Sequence, residues 1–131
     1  ASQVPRYRRP GSPACMTVNR LADDLDPMRQ AIADAQSFTE GMAQADFEQD
    51  RRTQQAVVMS LIVLGEAATK VMDQHSAFAA EHNHIPWRSM RGMRNRIAHG
   101  YFEINLEVVW DTVQTALPVL KTQLDALPSS I

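Results

Sequence analysis

Apolar residues recur every three or four positions in four stretches of the chain, and no run alternates convincingly with period two. The pattern predicts helices throughout. The first is expected from about Val18 to Gly41, with Leu21, Leu25, Met28, Ile32 and Ala35 on one face and Gly41 near its end, where glycine suits a left-handed closing turn. The second begins near Asp46 and reaches Gln74 or His75. Its stripe of Val57, Leu61, Leu64, Ala68, Val71 and Met72 forms a wide band, so it should be the most buried helix.

Pro86 is tolerated only at a helix start, which predicts a third helix from Trp87 toward His99, closed by Gly100. The fourth starts around Asn105, a good N-cap, with Glu107 in the first turn. It carries Leu106, Val109, Val113, Ala116, Leu120, Leu124 and Leu127, and Pro118 should kink it by freeing the carbonyl near Gln114. The expected fold is therefore all-α, an antiparallel bundle of four or five helices.

Residues 1–15 break this pattern. They hold three of the seven prolines and three arginines, lack acids and show no apolar period. The segment is read as a disordered leader or expression remnant, leaving residues 16–131 as one helical domain. The chain has 131 residues and a net charge of −2; removing the three leader arginines gives −2 − 3 = −5. An acidic domain excludes a general polycationic coat, so a phosphate-bearing partner must meet a local patch. The single cysteine, Cys15, permits no intrachain disulfide and fits a reducing cytoplasm. The apolar run from Ala56 to Gly65 is about half the length of a membrane span, so no membrane partner is expected.

Against this background the stretch from Arg91 to Tyr101, RGMRNRIAHGY, is conspicuous. Arg88, Arg91 and Arg94 recur every third residue, while Arg96 points elsewhere. His99 follows Arg94 by five residues, roughly 140° around an ideal helix at about 3.6 residues per turn. The two side chains would meet only if the last turn unwound at Gly100. Together they suit metal-free RNA cleavage: histidine serves as base for a ribose 2′-hydroxyl or acid for the leaving oxygen, and arginine stabilises the pentavalent phosphate. A plainer reading stands beside it, in which arginines and a histidine complement the negative end of a helix dipole.

The segment Arg94-Asn95-Arg96-Ile97-Ala98-His99-Gly100-Tyr101 resembles the R-x4-H-x-Y signature of HepT-type toxins in the HEPN superfamily. Trp87 at the start of the motif helix and LGEAATKV (Leu64–Val71) on the preceding one are similar to segments of that family. The resemblance spans roughly Leu21 to Leu124. It implies a homodimer whose two motif helices form a composite cleft, and a metal-independent endoribonuclease toxin of a type II or type VII-like pair. Arg94 and His99 would be catalytic, with Asn95 and Glu66 supporting them, while Arg88, Arg91 and Arg96 would contact RNA. Tyr101 would be the hydroxyl to which a minimal nucleotidyltransferase antitoxin transfers AMP. ATP would be that partner's substrate, and this chain would need no cofactor. No DNA partner is implied, and the setting would be a bacterial or archaeal cytoplasm. The rival from another class is a catalytically silent HEPN module that binds nucleotide or a protein. A third reading makes the chain chiefly an acceptor for the nucleotidyltransferase.

Other candidates are weaker. His82 and His84 form an H-x-H pair near Glu81 in a segment read as loop, without a further convincing ligand group, so no metal site is assigned. His75 is read as a helix-end residue. Cys15 has no base beside it, and the chain lacks a phosphate-cradling glycine loop.

Overall fold

The structure, a computed structural model, describes residues 13–100 and 103–128. Its elements are α1 (Pro13–Phe38), α2 (Gln44–Glu48), α3 (Arg51–Gln74), α4 (Ser76–Glu81), α5 (Trp87–His99), α6 (Leu106–Asp111), a π-helical segment (Thr112–Ala116) and α7 (Leu117–Asp125). No strand occurs among the described residues. The fold is an all-α bundle. α3 is its central rod, flanked by α1 and α5, while α6 and α7 close the bundle against α2 and α1.

The apolar stripes account for this packing. Leu25, Met28, Ile32 and Ala35 of α1 are buried, as are Val57, Leu61, Leu64, Ala68 and Val71 of α3. α3 is long and apolar enough to cross a membrane by length and composition, but half of that apolar window is buried inside the bundle. α1 ends at Phe38, and Gly41 follows with a φ of +79°, the left-handed turn expected there.

Several boundaries differ from the sequence reading. α1 begins at Pro13, so the last three residues of the segment read as a leader are helical; proline at a first helical position forfeits no hydrogen bond. The second helix is divided. α2 ends at Glu48, and Asp50 caps α3 by accepting from the Thr53 backbone N–H at 3.0 Å and its hydroxyl at 2.8 Å. The stretch after His75 contains α4, whose Phe78 stacks on His82 and meets Trp87 edge-on. His82 and His84 follow α4 in the turn before α5, and Trp87 Nε1 donates to the His82 carbonyl at 3.1 Å.

Asn105 caps α6, its side-chain oxygen accepting from Glu107 and Val108 N–H groups at 2.9 and 3.2 Å. Pro118 lies just beyond a widened π turn, in which the Leu117 N–H reaches the Thr112 carbonyl. That turn absorbs an additional residue and rotates α7 about the common axis. Leu117 is therefore buried where the unbroken period placed Ala116, which is exposed.

Candidate active site

α5 places the basic motif along the edge of the bundle. Buried Trp87, Met90 and Ile97 anchor its inner side, and the helix carries four arginines, His99 and no acid. The helix stays regular to its end: Gly100 N–H donates to the Arg96 carbonyl at 3.0 Å. The unwound last turn expected from the Arg94–His99 separation is therefore absent. A helical hydrogen bond retained at Gly100 removes any cause for the turn to open.

Arg94 and His99 are tied to a common residue instead. Arg94 Nε donates to the side-chain oxygen of Asn95 at 2.8 Å, and His99 Nδ1 lies 2.8 Å from the Asn95 backbone carbonyl. A carbonyl only accepts, so Nδ1 carries the hydrogen in this bond. The neutral ring then presents Nε2 as a bare lone pair, the form a general base requires.

Arg94 is held a second time, from the neighbouring rod. Its guanidinium forms an ion pair with Glu66 of α3, with the arginine side chain 20% exposed and the glutamate 58% exposed. Glu66 is thus a surface partner of the motif arginine. The close approach is made by Gly65: a Cβ there would overlap Arg94 Cβ and stand 2.8 Å from the Met90 carbonyl oxygen. Without a side chain at Gly65, α5 settles directly on α3.

The remaining arginines separate. Arg88 and Arg91 line a groove between α4 and α5, Arg94 turns to Glu66, and Arg96 lines an apolar recess with Met93, Ile97 and Val108. Three residues at helical spacing advance by about 60° around the axis per step, which suffices to direct Arg94 elsewhere. Tyr101 lies outside the described residues. No group of three or more His, Cys, Asp or Glu suited to a metal occurs among the described residues.

One polar cluster escaped the sequence reading. Asp24 of α1 is 5% exposed, with His75 Nε2 at 2.9 Å and Lys70 Nζ at 3.1 Å. Residues 51 positions apart meet only through the α1–α3 packing register, so local spacing carried no signal for them. The cluster fixes α1 to the end of α3.

Comparison with known proteins agrees with this architecture. Residues 28–127 match the family model described as ribonuclease HepT-like. A Thermococcus cleftensis protein named "Probable ribonuclease HepT" is 35% identical over 105 residues, covering 80% of this chain and 93% of that protein. A candidate RNase of Methanocaldococcus jannaschii is 36% identical over 98 residues, covering 75% of each chain. One from Caldanaerobacter subterraneus is 32% identical over 84 residues, covering 64% of this chain and 72% of its own. No solved structure gives a significant match. With three quarters of its length inside the family model and its motif helix seated on the central rod, this chain belongs to the HepT-like ribonuclease family of HEPN proteins.

Proposed function

We propose that the chain is a metal-independent endoribonuclease toxin that acts as a homodimer in a bacterial or archaeal cytoplasm. The observation carrying this reading is the Asn95 tether, which holds Arg94 through its side chain and His99 through its carbonyl, leaving Nε2 open. His99 Nε2 takes the proton of a ribose 2′-hydroxyl. The oxygen attacks the adjacent phosphorus, the bond to the 5′-oxygen breaks, and that oxygen takes a proton from solvent, to which His99 then returns the proton it holds. The products are a 2′,3′-cyclic phosphate and a 5′-hydroxyl. Arg94 stabilises the charge that builds on the phosphoryl oxygens. The Nδ1–H bond to Asn95 persists in both protonation states of the ring, so the base stays in place through the transfer.

A regular helix separates Arg94 and His99 around its axis, and this favours a cleft completed by a second copy. Two facing motif helices would supply base, acid and positive charge from both protomers. A minimal nucleotidyltransferase antitoxin would silence the cleft by transferring AMP to Tyr101, adding a phosphate that repels RNA where RNA must sit. ATP belongs to that partner, and this chain uses no cofactor.

His99→Ala should abolish cleavage of RNA in chelator-containing buffer and relieve growth inhibition while the dimer survives. Full activity in that variant would refute the reading. Wild-type protein that cleaves no RNA, with Arg94 substitutions altering only complex formation, would instead identify a silent binding module. Intact mass after incubation with the partner and ATP should rise by AMP in wild type and stay unchanged in Tyr101→Phe.

A further inference from the structure

Arg88 and Arg91 take no part in the Asn95 tether, and neither lies within 4 Å of a carboxylate among the described residues, whereas Arg94 is paired with Glu66. Both line a groove of about 630 Å³ between α4 and the first half of α5, within the size range of ligand clefts. Ser76, Asn83 and Ser89 supply hydroxyl and amide groups on its walls, and Asp73 is the one lining carboxylate among the described residues. Arg91 is half-buried, and Arg88 is exposed.

The groove is separate from the Asn95 tether but continuous with it along one helix. At about 1.5 Å per residue, Arg91 lies about 4.5 Å and Arg88 about 9 Å from Arg94 along the α5 axis. Each step of three residues also turns about 60° around the axis, so the two cations stand successively farther around the helix from Arg94, on the side that faces the groove. Arginine forks match phosphate oxygens, and hydroxyl and amide groups match the 2′-hydroxyl and base edges of single-stranded RNA.

We propose that the α4–α5 groove is a substrate subsite that holds the RNA strand flanking the cleaved bond, with Arg88 and Arg91 on its phosphates and Ser76, Asn83 and Ser89 facing its sugars and bases. The inference rests on the ribonuclease reading and adds a strand path to it. A dinucleotide reaches only the Arg94–His99 centre, while a longer strand also fills the groove.

The test compares KM and kcat on a dinucleotide and on an unstructured RNA of about ten nucleotides. The double variant Arg88→Ala/Arg91→Ala should raise KM for the longer RNA roughly tenfold, as loss of charge-assisted contacts does, and affect dinucleotide cleavage several-fold less. The salt slope of log KM for the long RNA should fall by about 1.4, at about 0.7 per phosphate contact on single strands. Asp73→Asn, which removes the groove's carboxylate, should lower KM for the long RNA only. Equal loss on both substrates would show that the arginines act at the reacting centre or in folding. No loss on either would show a solvated helix face. Either result overturns the subsite. Wild-type protein inactive on both RNAs removes the ribonuclease reading itself, a failure distinct from the other two.

Discussion

Gly65 on α3 and Arg94 on α5 are in direct contact across the bundle, leaving no room at Gly65 for even a methyl group. This relationship sets the depth at which the motif helix rides on the central rod. It also brings Glu66, the next residue of α3, to the Arg94 guanidinium.

Gly65→Ala should therefore impair both stability and activity. The new methyl group meets Arg94 Cβ and the Met90 carbonyl, neither of which is a flexible side-chain end. Overpacking of this kind costs about 1–3 kcal/mol, readable from urea unfolding. RNA cleavage should fall further than stability explains, because α5 must shift and the Glu66–Arg94 pair loosens. Unchanged stability and full activity in Gly65→Ala would show that this contact does not position the motif.

Asn95→Ala should separate positioning from protonation. The substitution removes the side-chain oxygen that holds Arg94 but keeps the backbone carbonyl that holds His99. The expected result is a kcat lower by roughly tenfold with little change in stability, since Asn95 is exposed. The pH profile of cleavage should keep its shape, because His99 retains its carbonyl partner. A changed profile would mean that the Asn95 side chain acts on His99 as well.

Mixing two inactive variants tests whether the cleft is shared. If Arg94 of one protomer serves His99 of the other, Arg94→Ala and His99→Ala chains should restore activity on co-refolding. Random pairing gives half heterodimers, each with one intact site of two, so recovery should approach about one quarter of wild type. No recovery above either variant alone would place both residues in a single-protomer site.

The features that could be read from the sequence divide along the range of the interactions involved. The stripe Leu25–Met28–Ile32–Ala35, the Asn105 cap and the Pro86–Trp87 helix start are local patterns, and the structure carries each of them. Asp50 was also locally legible as an acceptor three residues before Thr53, but it sits in the wholly polar run from Gln49 to Gln55, where no apolar period marks a break. The exchange of Ala116 for Leu117 was not legible, because a π turn resets the period without a distinct residue signature. At the site, residue identities were visible, but their connection through Asn95 depended on the helix remaining closed at Gly100. The pairings Glu66–Arg94 and Asp24–His75 span separate helices and needed the packing register.

Asp50 provides a prediction in which pH has a definite sign. The Thr53 backbone N–H, then its hydroxyl, donate to the carboxylate and hold its pKa below the ordinary 3.8, with the nearby Arg52 charge acting in the same direction. A carboxyl group whose pKa is lower in the folded state stabilises the fold fully above its unfolded value. That contribution fades as pH falls through the lower folded value. Asp50→Asn retains an acceptor suited to capping α3 but has no charge to titrate. The stability advantage of wild type over Asp50→Asn, measured by urea unfolding across a pH series, should be constant above about pH 5 and shrink toward zero as pH drops below 3.8. An advantage that persists unchanged to about pH 2 would show that the cap works through its hydrogen-bond geometry alone, independent of the carboxylate charge.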